Sequence, residues 1–128
     1  MLNLNFIQVT RKILIVANDP RQRRIMLGLK NLGYDTVLAE TGREALELAV
    51  AHAPDLIMLD LTLPDMDGLE AARRIREHPT TCFIPILAIT GRSLTEERKR
   101  SLEDGCEDYI YKPLARSLLV SRVEKLLA

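Results

Sequence analysis

Three residues of this chain have types suited to handling phosphate: Asp60, Thr90 and Lys112. Each follows a short apolar run: Leu56-Ile57-Met58-Leu59 before Asp60, Ile86-Leu87-Ala88-Ile89 before Thr90, and Tyr109-Ile110-Tyr111 before Lys112. A carboxylate can attack phosphorus and form an acyl phosphate. A hydroxyl can donate a hydrogen bond to a phosphoryl oxygen, and an ammonium can neutralise its charge. The same residues also suit a purely structural arrangement, in which Asp60 and Lys112 pair and Thr90 caps a loop. Residue types alone leave both readings open, since structural ion pairs also occupy clefts.

The elements that must bring these residues together are legible in the hydrophobic pattern, which alternates between strand and helix templates. Ile13 to Ala17 is a continuous apolar run of the kind buried on both faces of a sheet. Asp19-Pro20 pairs an N-cap with proline at the first helical position, and Ile25, Leu29 and Leu32 continue that helix to a C-terminal cap at Gly33. Thr36 to Ala39 reads as a second strand, and Thr41-Gly42-Arg43-Glu44 as a capping box opening a helix with Ala45, Leu48 and Ala49 inward, stopped by Pro54. After the strand ending on Asp60, a helix runs from Asp67-Gly68 through Leu69, Ala72 and Ile75 to about Glu77. Ile86 to Ile89 is the fourth strand, and Ser93-Leu94-Thr95-Glu96 reads as a second capping box, opening a charged helix that Gly105 terminates. Tyr109 to Tyr111 is a short fifth strand, and Leu118, Leu119, Val123, Leu126 and Leu127 draw an apolar stripe on a closing helix.

Five strands alternating with five helices predict an α/β fold, a doubly wound parallel sheet built from right-handed crossovers. Such sheets bind ligands beyond the carboxyl ends of their strands. That rule selects Ala17 to Asp19, Glu40, Asp60 to Thr62, Thr90-Gly91 and Lys112-Pro113.

Composition narrows the function classes. A chain of 128 residues is sized for a single domain. Lys and Arg number 18 against 18 acidic residues, which gives no reason to expect direct nucleic-acid binding. No apolar run approaches the ~20 residues of a membrane span, and Met1 to Lys12 does not read as a secretory signal. The expected location is the cytoplasm, with no membrane partner. Cys82 and Cys106 lack a C-x-x-C partner and read as reduced thiols. His52 and His78 fall near predicted helix ends, where a cation is favourable, and neither has a ligating neighbour. There is no G-x-G-x-x-G or P-loop, and aromatics make up only 4% of the chain with no tryptophan, which leaves few rings to stack on a flavin.

The strings IMLDLTLPDMDGLE, AITG and YIYKP strongly resemble the receiver domain of two-component response regulators, of the chemotaxis-regulator type. The resemblance covers roughly Lys12 to Leu127, so that residues 11–128 form the receiver and residues 1–10 an N-terminal extension. It implies flavodoxin-like strand order 2-1-3-4-5 and transfer of a phosphoryl group onto Asp60 from a sensor histidine kinase or phosphotransfer protein. Thr90 and Lys112 would hold the phosphoryl group, the Lys112-Pro113 peptide would be cis, and Tyr109 would be the aromatic that switches behind Thr90. The output face, formed by the fourth helix, fifth strand and fifth helix, would bind a downstream protein target or a second copy. The module would signal rather than turn over substrate as an enzyme. Magnesium would be the cofactor, held by Asp60 and the Thr62 carbonyl.

One departure from the family pattern bears on that metal. Receivers usually end the first strand with two acids, and here Ala17 and Asn18 stand at those places. Asp19 follows, but its Asp-Pro context accounts for it as an N-cap. Asn18 retains a carbonyl oxygen, so the expected ligands are Asn18, Asp60 and Thr62, in a weakened site. A weaker metal slows phosphorylation, whereas the loss of two like charges eases the approach of phosphate. A slow phosphoacceptor, a receiver that signals through its surfaces without phosphorylation, and an unrelated flavodoxin-like binder are the three readings, the last being weakest.

Two segments remain. Arg21, Arg23 and Arg24 open the first helix, where receivers dock their kinases, but such a run is also an ordinary solvated face. Leu2, Leu4, Phe6 and Val9 precede the first strand and fit a tail, an extra edge strand or an arm.

Overall fold

Residues 10–91 and 94–128 are described in a computed structural model. Five strands, β1 (Lys12–Val16), β2 (Asp35–Ala39), β3 (Leu56–Asp60), β4 (Ile86–Thr90) and β5 (Asp108–Tyr111), alternate with α1 (Pro20–Leu27), α2 (Gly42–His52), α3 (Gly68–Glu77), α4 (Glu96–Gly105) and α5 (Arg116–Leu127). All pairings are parallel and the order is β2-β1-β3-β4-β5, as the sequence resemblance implied. The fold is a doubly wound α/β sheet of flavodoxin type.

Alternation along the strands divides the core in two. Leu14, Val16, Ile57, Leu59, Ile86 and Ala88 pack under α2, α3 and α4. Ile13, Ile15, Met58, Leu87 and Ile89 pack under α1 and α5. β3 and β4 are buried at every position, which is why they read as unbroken apolar runs. The N-terminal extension of residues 1–10 lies outside the described residues, apart from Thr10.

Local capping explains where the helices begin. Asp19 Oδ1 accepts the Arg21 N–H at 2.9 Å, ahead of Pro20 at the first helical position. Thr41 Oγ1 accepts the Glu44 N–H at 3.0 Å, but the Glu44 carboxylate accepts from the Glu40 N–H at 3.3 Å, so the expected reciprocal box is displaced by one residue. A distant group supplies what the box does not: Asp65 takes the Gly42 and Arg43 N–H groups at 2.8 and 3.0 Å.

Three expectations require correction. α4 is capped by Thr95, whose Oγ1 accepts the Arg98 N–H at 3.2 Å, not by Ser93, which lies outside the described residues. Thr95 brings its hydroxyl to the right spacing and leaves Glu96 and Glu97 in the first turn, where acids suit the helix dipole. The first helix tightens into a 3-10 turn over Gly28–Leu32 before Gly33 ends it at φ 96°, and this rotates Leu32 out to 48% exposure. On α5 only Leu119 and Val123 are fully buried while Leu118 is 39% exposed, so the inward stripe is narrower than the pattern suggested.

Candidate functional site at the carboxyl edge of the sheet

The parallel register puts the ends of β3, β4 and β5 side by side. Asp60 pairs with Ile89 and Thr90 with Tyr111, and the Lys112 N–H donates to the Thr90 carbonyl at 2.8 Å. Lys112 therefore leaves β5 beside the end of β4. Its Nζ reaches Asp60 Oδ1 at 2.9 Å, with the Asp60 side chain fully buried and the Lys112 side chain 19% exposed. Gly91 leaves room for that stem, since a Cβ there would stand 3.3 Å from Lys112 Cδ. The Lys112–Pro113 peptide is cis.

Asp60 is held by two donors, both on one oxygen. Its Oδ1 also accepts the Thr62 N–H at 2.9 Å, whereas Oδ2 is buried with no hydrogen-bond partner among the described residues. A buried carboxylate oxygen without a donor is costly, so it marks a place for a cation or a donor from outside. Asn18, Asp60, Thr62 and Lys112 line one cavity of about 210 Å³ together with Asp19. The oxygen-bearing side chains that line it are hard ligands: the buried Asp60 carboxylate, the exposed Asp19 carboxylate and the Asn18 amide, beside the Thr62 hydroxyl. They are compatible with magnesium, with less charge than a site of three carboxylates. At the end of β1, Ala17 is fully buried and offers only a methyl group. Among the described residues no cluster of three or more His, Cys, Asp or Glu side chains is arranged for a metal.

Thr90 is buried at the end of β4 and borders a neighbouring cavity of about 390 Å³ with Thr62, Asp67 and Arg98. Tyr109 is half-buried against the α4 side of the core and stacks edge-on with Tyr111, their centroids 5.6 Å apart. The fold thus gathers Asn18, Asp60, Thr62 and Lys112 into one cavity and places Thr90 at the adjoining strand end. Among the three basic residues opening α1, Arg21 and Arg24 are exposed, while Arg23 Nη1 is bound to Glu40 Oε1 at 2.6 Å.

Sequence reasoning missed the fastenings around this edge. The β3–α3 loop is tied down by an isolated Thr62–Asp67 bridge, by the Gly68 N–H on the Leu61 carbonyl at 3.0 Å, and by Asp65 on the start of α2. Its slight burial would raise the Asp65 carboxyl, but the Gly42 and Arg43 N–H groups outweigh this and hold it below its usual value. On the other side, Arg98 Nη1 of α4 reaches Asp67 Oδ2 at 2.8 Å, which keeps the guanidinium charged beyond its usual range. The Asp67-Gly68 helix start signalled a local cap, but nothing in spacing alone reveals a partner on another helix.

The chain as a whole is similar to known proteins. The family model described as "Response regulator receiver domain" matches residues 13–124. Among curated relatives, the response regulator MprA of Mycolicibacterium vanbaalenii is 39% identical over 117 residues, covering 91% of this chain, which spans 50% of that relative's length. The polar-differentiation response regulator DivK of Brucella ovis is 31% identical over 93% of this chain and 98% of its own. Among solved structures, the chemotaxis protein CheY4 of Vibrio cholerae superposes with a TM-score of 0.85 at 28% identity, covering 93% of this chain and all of its own. The receiver domain of a sensor histidine kinase from Pseudomonas aeruginosa, solved with a magnesium ion in its active-site cleft, superposes at 0.83 with 31% identity over 93% of this chain and 98% of its own.

Proposed function

This chain belongs to the response-regulator receiver family, the signalling modules of two-component systems, and on that premise we propose that it is a phosphoacceptor that takes a phosphoryl group onto Asp60 from a histidine kinase or phosphotransfer protein. The observation that carries this reading is the Asp60 carboxylate itself: fully buried, oriented by Lys112 and the Thr62 N–H on one oxygen, and lacking a partner on the other. In the step, a carboxylate oxygen of Asp60 bonds to phosphorus while the phosphorus–nitrogen bond to the donor histidine breaks and the imidazole keeps the electron pair. Lys112 would meet the charge on the phosphoryl oxygens, and Thr90 would donate its hydroxyl to one of them. A magnesium ion, held by Asp60, Asn18 and the Thr62 carbonyl, supplies charge neutralisation for that transfer when bound. Engagement of Thr90 would then draw Tyr109 inward and alter the face of α4, β5 and α5 that meets a downstream protein or a second copy. No helix among the described residues is long and apolar enough to cross a membrane; we take the module to act in the cytoplasm.

The buried methyl of Ala17 favours a second reading, in which the chain signals by protein binding without phosphorylation. The double substitution Ala17→Asp with Asn18→Asp separates the two. A phosphoacceptor gains magnesium affinity and is labelled faster by acetyl phosphate, whereas an unchanged labelling rate despite tighter magnesium binding opposes the phosphoacceptor reading.

A further inference from the structure

The cavity beside Asp60 holds a second carboxylate that its capping role does not use up. Asp19 caps α1 through Oδ1 alone, on the Arg21 N–H at 2.9 Å. The same side chain lines the cavity with Asp60 and Asn18. Its other oxygen has no hydrogen-bond or ion-pair partner among the described residues. The independent mark of a ligand in this cavity is Asp60 Oδ2, an unpartnered acceptor on a side chain with 0% exposure.

Charge shows why the second group matters. Asp60 is paired with Lys112, so those two leave the cavity formally neutral and give a dication little to be drawn by. Ala17 adds nothing and Asn18 adds only a dipole. The nearby cation of Arg23 is answered by Glu40 at 2.6 Å and does not cancel Asp19. Asp19 thus gives the cavity a net negative charge.

We propose that Asp19 serves twice: one oxygen caps α1, and the other is the second anionic group of a divalent-cation site built on Asp60, in the place of the acids missing at Ala17 and Asn18. This rests on the reading of the Asp60 cavity given above. It also goes beyond the preference for reading Asp19 as an N-cap over a metal ligand, since it gives the side chain both roles. Cation binding would then be linked to the start of α1, because the two oxygens belong to one carboxylate.

The test exploits the fact that asparagine caps a helix as well as aspartate does. Asp19→Asn therefore removes the charge while keeping the Oδ1 cap, and without metal its thermal midpoint should match that of the unsubstituted protein. Manganese(II) is titrated into the full chain and the free ion is followed by electron paramagnetic resonance, beside Asp60→Asn and, as a charge control at the far end of β2, Asp35→Asn. We expect Asp19→Asn to weaken binding roughly three- to tenfold, Asp60→Asn to weaken it more, and Asp35→Asn to leave it unchanged. Unchanged binding in Asp19→Asn beside a clear loss in Asp60→Asn overturns the role of Asp19 and spares the cavity. An equal loss in Asp35→Asn also overturns it, as bulk charge. Absence of binding in the unsubstituted chain, or indifference to Asp60→Asn, overturns both the role and the cavity reading.

Discussion

α3 and α4 lie on the same face of the sheet and begin just beyond the two strands that end on Asp60 and Thr90, yet they are fastened by opposite means. α3 buries Gly68, Ala71, Ala72 and Ile75, whereas α4 buries only Leu102. Arginines at both ends hold α4 instead. Arg98 reaches forward to Asp67 at 2.8 Å, and Arg76 of α3 reaches the Gly105 carbonyl at 2.9 Å while also taking the Cys82 and Ile84 carbonyls at 2.7 and 2.8 Å. Apolar burial is lost all at once when a helix lifts, but an exposed ion pair contributes within about 1 kcal/mol and is screened by salt. The helix after Asp60 is thus part of the rigid frame, and the helix after Thr90 is the one that can move at low cost.

The comparison breaks most visibly at its glycines. A Cβ at Gly68 would stand 2.3 Å from the Leu61 backbone, so Gly68→Ala should lose about 3 kcal/mol or more in urea unfolding. The same change at Gly105 meets only the Ala72 methyl at 3.6 Å and should stay within about 1 kcal/mol. If both glycines tolerate alanine equally, the frame is not where we place it.

Truncations sharpen it next. Ile75→Ala should lower global stability by roughly 2–5 kcal/mol, the usual range for emptying a filled core site. Leu102→Ala should instead release α4 first, seen by hydrogen exchange as loss of protection over Glu96–Gly105 while the β3 amides stay protected.

The smallest effect on stability tells most about the Arg98–Asp67 ion pair as an electrostatic latch on α4. Cys106 lies under the end of α4, where burial pushes its thiol up to about 12. At pH 8 it should react with a thiol reagent only through opening, while exposed Cys82 reacts at once. Arg98→Ala should cost no more than about 1 kcal/mol globally yet speed Cys106 labelling several-fold, as should high salt in the unsubstituted protein. An unchanged labelling rate would contradict an electrostatic latch.

The sequence was most legible where the physics is local or strictly periodic. β3 and β4 announced themselves because strands buried on both faces must be apolar throughout. Asp19-Pro20 and Asp67-Gly68 fixed two helix starts because the cap and the residue after it adjoin. Strand order was less accessible, since alternating strands and helices do not say which strands neighbour; only the resemblance supplied it. At the site, the strand-end rule selected Asp60, Thr90 and Lys112, whose ends the structure brings together. What stayed hidden were pairings between distant segments: Asp65 on the start of α2, Arg98 on Asp67, and Arg76 on Gly105. The start of α4 misled because Ser93 and Thr95 both offer a capping hydroxyl, and sequence cannot rank them.

The central claim is that Asp60 accepts a phosphoryl group despite the missing acids at Ala17 and Asn18, and intact mass of the protein after incubation with acetyl phosphate or phosphoramidate tests it most directly. With magnesium present the account predicts one phosphoryl adduct, slower to form without the metal and absent from Asp60→Asn. No adduct on the folded chain, under conditions that label a conventional receiver, would contradict it.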